Sequence, residues 1–353
     1  MKIQRKFYPQ INVIKAIASF SVTAVHFRNR VETTIPEPVI NNKLTLFFST
    51  NYALFIFAVP LFLLATGFLS VNKRIDFKNV VNVIKIYLLY LFMAISSHCL
   101  MVLTNTRDSI GWIQMLARAL NFSLISGWYI ELYIALALLI PFINVLIKNL
   151  SKREFEILII TLLISVSVPA FINRNPDFSI LHLPNYWQII YPVVYYFIGA
   201  YIRLYHEKIL IKNSTLLFIY ISSVLYIIQL LYRHASPYTK PFEGYYPSIV
   251  NILLASSFFL LVFKNINKSN FIFDTVAKYT LSTYIMAYPI DKILYPRFTE
   301  ILVPTRNLII ASPLIVIIAF IITVISGIIL YEVFNYIWGN LEKYLMKRTD
   351  ILS

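Results

Sequence analysis

This 353-residue chain has one cysteine, seven glycines and 16 acidic residues against 31 lysines and arginines. Each shortage excludes something. A lone Cys99, set in an apolar block, permits no intrachain disulfide. There is no Gly- or Ser-rich linker, so residues 1–353 read as a single domain without an internal boundary. Walker, Rossmann and HExxH patterns are missing, as is any repeat of 20–50 residues, which argues against an ATP-driven pump or a zinc protease. Charged residues make up 13% of the chain, where soluble chains average about 25%.

What is there is apolar. Hydrophobic residues supply 59% of the chain, and its mean hydropathy is +0.71. Leu, Ile, Phe and Tyr recur in blocks long enough to cross the ~30 Å of a bilayer's hydrocarbon core. The sequence therefore predicts an all-α polytopic membrane protein of about ten transmembrane helices. These fall near 11–27, 46–71, 80–104, 124–147, 155–172, 186–204, 214–232, 246–263, 275–294 and 307–338. The ninth carries Lys278 and Asp291; Asp291 and Lys292, at its end, are read as interfacial. The last exceeds one span. Lys2, Arg5 and Lys6 precede an apolar run that ends in His26-Phe27-Arg28 without a small-residue cleavage site, so the run reads as a retained first span.

Charge fixes the expected orientation. With the N-terminus inside, the inner segments hold 19 Lys/Arg and the outer ones 11, which places both termini in the cytoplasm. The net charge of +15 is read as loop charge facing anionic headgroups, with no basic aromatic platform for nucleic acid. Outer segments at 33–44, 173–186 and 234–246 are longer and rich in aromatics and prolines. They suit either an interfacial aromatic belt or stacking on sugars and lipid headgroups.

Lys15 and His26 carry the strongest chemical signal. Eleven steps of roughly 100° bring them to nearly one helix face, roughly 16 Å apart along the axis. Ionisable groups inside a span are costly and usually face a protein interior or a wet cavity. A neutral imidazole can take a proton from a hydroxyl, and a lysine is a point charge suited to phosphate. On spacing alone a second reading stands beside this one, with Lys15 snorkelling to the inner headgroups and His26 in the outer interface. His98, within the third span, reads as an interhelical hydrogen-bonding residue.

Lys15-x10-His26, with Ala16 and Ala18, resembles the Arg/Lys-x10-His first helix of the acyltransferase-3 family, ten-span membrane acyltransferases that modify extracytoplasmic glycans. Three segments resemble further family elements in order: Val59-Pro60-Leu61-Phe62-Leu63-Leu64-Ala65-Thr66-Gly67-Phe68-Leu69, Gly127-Trp128-Tyr129-Ile130 through Pro141, and Tyr195 through Arg203. Asn12 stands where many members have Asp. Lys15 in place of Arg is similar to a branch related to the intercellular-adhesin polysaccharide modifiers. In the ninth span, Ala287 occupies the place of an expected histidine.

The resemblance implies an O-acyltransferase of a bacterial plasma membrane, its acyl group most often acetyl. On that resemblance an acyl-CoA, acetyl-CoA for an acetyl group, would donate from the cytoplasm, and a polysaccharide or lipid-linked glycan would accept outside. No bound cofactor or metal is implied. His26 would be the catalytic base or acyl carrier. Lys15 and Arg203 would hold the CoA phosphates, with Lys73 and Arg74 as weaker candidates. Trp128 and Tyr129, at the outer start of the fourth span, would pack on the acceptor sugar, and Glu131 would orient His26 or bind a sugar hydroxyl. A flippase for lipid-linked glycans, or a polymerase, is the rival expectation. The abundance of Ile, Asn and Lys fits an AT-rich bacterial genome.

Overall fold

A computed structural model describes residues 8–31, 42–172, 183–233, 246–302 and 305–352, the last twelve of these by backbone alone. Most of the three outer segments named above lies outside the described residues. Thirteen α-helices occur among the described residues: α1 (Pro9–Val31), α2 (Asn42–Phe55), α3 (Ala58–Ser70), α4 (Phe77–Leu103), α5 (Trp112–Leu120), α6 (Trp128–Asn149), α7 (Lys152–Ile172), α8 (Tyr191–Tyr205), α9 (Asn213–Arg233), α10 (Ile249–Asn265), α11 (Phe271–Lys278), α12 (Thr280–Leu302) and α13 (Thr305–Leu352). No strand occurs among those residues.

Every expected span falls on a helix. Five stretches are long and apolar enough to cross a membrane: Asn42–Ser70, Phe77–Leu103, Trp128–Asn149, Asn213–Tyr232 and Asn307–Asn340. The other expected spans fall on helices that are shorter or more polar. Along α13, Leu314, Ile317, Ile321, Ile325, Ile329 and Val333 form one exposed stripe at helical spacing, the pattern of a face that meets lipid. The last run, longer than one span needs, lies on the single helix α13.

α1 is the central helix. Pro9 starts it, where the missing N–H costs nothing. It packs against α2, α3, α10, α11, α12 and α13. Ser19 and Ser21 are buried in it, and their hydroxyls donate to the carbonyls of Lys15 (3.0 Å) and Ile17 (2.8 Å). That satisfies each hydroxyl locally where no water can.

Two glycines explain why two of the family-like segments read as they do. A methyl on Gly67 of α3 would collide with the Tyr196 carbonyl of α8, and one on Gly199 of α8 would collide with the Leu64 carbonyl of α3. The pair crosses backbone to backbone, the small-residue packing that membrane helices use when apolar burial cannot drive association. Asn144 of α6 ties down the inner end of this pair. Its amide donates to the carbonyls of Ser70 (2.7 Å) and Lys73 (2.9 Å), and its oxygen accepts from the Tyr196 hydroxyl (2.6 Å).

The connection into α6 differs from the sequence expectation. α5 and the turn after it fold back along α4. The Tyr87 hydroxyl donates to the Leu120 carbonyl at 2.9 Å, and Phe122, at φ 60°, packs on the Tyr90 ring at 4.9 Å. A methyl on Gly127 would come within 2.6 Å of the Tyr90 hydroxyl. Tyr90 is the middle residue of α4, so α6 starts level with that middle and not at its outer end. The far end of α6 leads into a capping box. The Ser151 N–H donates to Glu154 at 2.7 Å and the Glu154 N–H to the Ser151 hydroxyl at 3.3 Å, which holds the Glu154 carboxyl below its ordinary range.

Candidate active site

In its N-terminal half α1 meets the short helix α11. The chain breaks helix geometry at Tyr279 between α11 and α12, leaving carbonyls at the end of α11 without an intrahelical partner. The Lys15 ammonium donates to one of them, Ala277 O, at 2.5 Å. A cation there also complements the negative end of the helix dipole. One turn earlier, the Asn12 amide donates to Asp274 at 2.7 Å. An Asp at position 12 would set two carboxylates against each other, so the departure from the family's pattern matches its partner in this chain.

Lys15 retains further N–H groups, and it lines a cavity of about 760 Å³ between α1, α3, α4, α6, α8, α11 and α12. Four cations border this space: Lys15, Lys73, Arg203 and Lys278. No carboxylate is among its lining residues. Arg203 is fixed by aromatic faces, 4.2 Å from the Tyr8 ring centroid and 5.3 Å from that of Phe68. Lys278 donates to the Tyr279 hydroxyl (2.7 Å) and lies 3.6 Å from Glu332. Such a cluster of positive charge in a partly enclosed space is a site for a multiply charged anion. Arg74, the other weak candidate from the sequence, is exposed and outside the cavity.

Aromatic rings bound the cavity on its other side. Phe62, Tyr129 and Tyr284 touch one another, with centroid separations of 5.8 Å (Phe62–Tyr129), 6.4 Å (Phe62–Tyr284) and 4.8 Å (Tyr129–Tyr284). Tyr129 is therefore buried in the cavity wall and shares it with Lys15. The cause is the low start of α6, which carries Tyr129 inward from the outer boundary that the sequence suggested. Trp128, its neighbour, is 39% exposed and stacks on Tyr246 at 5.6 Å, with Tyr191 on the other side of Tyr246 at 5.8 Å.

Toward the C-terminal end of α1, His26 Nδ1 lies 2.7 Å from Asp291 Oδ2 of α12. The His26 side chain is 27% exposed and that of Asp291 is 0% exposed. Against an ionised carboxylate, which only accepts, the imidazole donates from Nδ1, and in its neutral form it then keeps a lone pair on Nε2. The expectation that Asp291 sits in the interface is thus corrected. α12 packs along α1 and turns this carboxylate inward onto the imidazole. Glu131, expected as a possible orienting group for His26, is exposed on α6 and makes no bond to the imidazole. His98 is buried in α4 and is not among the cavity's lining residues. Ala287 is buried as well, so the span that lost its expected histidine supplies the aspartate one turn further on. An acid within an apolar span is the signal that could have singled out Asp291.

Cations and rings surround the pair. Arg28 lies 4.6 Å from the Tyr52 centroid, and Arg30 and Lys292 lie 5.1 and 5.3 Å from that of Tyr288. Among the described residues, no group of three or more His, Cys, Asp or Glu comes together to hold a metal ion.

A bundle of apolar helices, its central member joining a cation-lined cavity to a histidine–carboxylate pair, is the architecture of a multi-pass membrane protein. The chain belongs to the acyltransferase-3 family: that family's sequence profile, described as an acyltransferase domain, matches residues 8–332. It is therefore a membrane acyltransferase by family. Neither the curated proteins nor the solved structures contain a significant match to it.

Proposed function

We propose that this protein moves an acyl group, most simply acetyl, from cytoplasmic acyl-CoA to a hydroxyl of an extracytoplasmic or lipid-linked polysaccharide in a bacterial plasma membrane, with both its termini in the cytoplasm. The observation that carries the reading is the layout of α1. Its inner end faces four cations with no lining carboxylate, and its outer end carries an exposed imidazole held by a buried aspartate. Lys15, Arg203, Lys73 and Lys278 take the CoA phosphates. The pantetheine arm then spans the roughly 16 Å of helix between Lys15 and His26, passing the Phe62, Tyr129 and Tyr284 rings.

His26 Nε2 removes the acceptor's hydroxyl proton as its oxygen attacks the thioester carbonyl. The tetrahedral intermediate expels CoA thiolate, which takes the proton back from the imidazolium, leaving an ester and CoA-SH. Asp291 stabilises the transient imidazolium and fixes the tautomer, as a positioning residue. Trp128 offers a ring face to the acceptor sugar, with Glu131 as a lesser hydroxyl contact. Tyr129 serves the donor side.

NMR of surface polysaccharide from cells with the chain, without it, and with His26→Ala tests this. Loss of an ester-linked acyl signal in both altered strains supports transfer. An unchanged acyl pattern with less polymer would instead favour a flippase or polymerase.

A further inference from the structure

The cation-lined cavity stops short of His26. Neither His26 nor Asp291 is among its lining residues, whereas Phe62, Tyr129 and Tyr284 are. Tyr284 follows Ala277, the partner of Lys15, by seven residues, and precedes Asp291, the partner of His26, by seven. It therefore stands midway along α1 between the cation cluster and the imidazole. Phe62 of α3 and Tyr129 of α6 meet it there, and the three rings close into a triangle with centroids 5.8, 6.4 and 4.8 Å apart. Those separations are contact distances for aromatic pairs. All three side chains are buried.

In an acyl-CoA the phosphates and the acyl group sit at opposite ends of the pantetheine arm. With the phosphates held by Lys15, Lys73, Arg203 and Lys278, the acyl group is the first part of the donor to meet the rings. To reach His26 it must part them by its own width. A slim, unbranched group needs the least displacement. Each added branch needs more, in a packed bundle where extra methyl groups are costly to fit. The rings also carry no formal charge. An acyl group ending in a carboxylate would have to shed its water among them, with the four cations left behind it.

We propose that Phe62, Tyr129 and Tyr284 form a gate that selects the acyl group by passage, admitting a small, uncharged, unbranched one. This rests on the reading of the cavity as the acyl-CoA site and of His26 as the reacting end. It adds the class of donor: acetyl passes, whereas isobutyryl and succinyl are held back. The three rings determine specificity and take no part in the bond making.

The test needs no acceptor glycan. His26→Cys, made in the full-length chain together with Cys99→Ala to remove the exposed native thiol, places a thiol beyond the rings. Its thiolate attacks the thioester carbonyl and expels CoA thiolate, which takes up the thiol's proton, so the acyl group ends as a thioester on the protein. The variant is reconstituted in phosphatidylcholine vesicles with acetyl-CoA, isobutyryl-CoA or succinyl-CoA, and acylation is followed by mass spectrometry. Acetyl should transfer at least about tenfold faster than isobutyryl, the discrimination that one or two carbons support in a shaped apolar site, and faster than succinyl. Adding Phe62→Ala or Tyr284→Ala should largely abolish the preference over isobutyryl, while succinyl stays slow because a wider gap does not remove the cost of its charge. Tyr284→Phe keeps the ring and should keep the preference. A ratio of two donors within one sample does not depend on how much of it is folded. Equal acetyl and isobutyryl rates with the rings intact, or a preference that survives both Ala variants, would overturn the gate and leave the acyl-CoA reading standing. Lys15→Ala should slow acylation by every donor. Acylation unchanged by Lys15→Ala would mean that the donor reaches the thiol without crossing the rings, which also overturns the gate. No acylation by any donor in any variant would remove the acyl-CoA path, and the gate with it.

Discussion

The two ends of α1 treat charge in opposite ways. At the inner end, four cations border open space with no lining carboxylate, and Lys15 is steadied by a backbone carbonyl. At the outer end the charges meet side chains: His26 on a buried carboxylate, Arg30 and Lys292 on a tyrosine ring. The cavity gathers cations suited to an anionic ligand, with Glu332 3.6 Å from Lys278, whereas the imidazole is held directly against a carboxylate. On the proposed function the same helix binds at one end and reacts at the other, and substitutions at each end should have separable kinetic signatures.

The largest effect should come from the outer end. His26→Ala should lower acyl transfer at least about 100-fold, the lower range of a general base's contribution, while the protein still inserts and purifies as folded helix by circular dichroism. Normal transfer by this variant would remove the distinction between the ends. Asp291→Asn comes next, with kcat down about 100-fold and KM for both substrates little changed, because the imidazole loses its counter-charge and its fixed tautomer. Partial recovery in Asp291→Glu would mark a positioning role that mere loss of packing could not mimic.

The inner end should respond in KM instead. Lys15→Ala and Arg203→Gln should each raise KM for acyl-CoA about tenfold, as expected for one charge-assisted contact, with KM for the acceptor unchanged in steady-state assays. Lys15→Ala should also lower thermal stability, since the Ala277 carbonyl loses its charged donor and keeps only the Thr280 hydroxyl at 2.9 Å. The smallest effect belongs to Glu131→Gln: about a twofold rise in acceptor KM, as for an exposed side chain. A loss as large as that of Asp291→Asn would mean that Glu131, and not Asp291, supports the reaction.

Much of this was legible in the chain. The helical spans follow from runs of apolar residues, and the shared stripe of Lys15 and His26 follows from helical periodicity over one uninterrupted element. The segments around Gly67 and Gly199 were recognisable as family-like, yet their reason was not. Only the crossing of α3 and α8 shows that each glycine makes room for the other helix's carbonyl. Asp291 was visible as an acid in an apolar span but was assigned to the interface, because nothing in a linear pattern says which way a residue near a helix end turns. Tyr129 was placed too far outward for a related reason: the return of α5 along α4 is set by contacts with Tyr87 and Tyr90, residues some thirty to forty positions away.

By itself, then, the sequence determined that the chain is helical and apolar, that it carries a cation and an imidazole on one face of its first helix, and that it resembles membrane acyltransferases. Those are properties of local periodicity and composition, which need no partner to exist. Tertiary structure decided the rest: that Asp291 holds His26, that Lys15 faces three other cations across a cavity, and that Tyr129 lies in its wall. Each joins residues from helices distant in sequence, and a side chain's surroundings in a bundle depend on how those helices rotate and slide against one another.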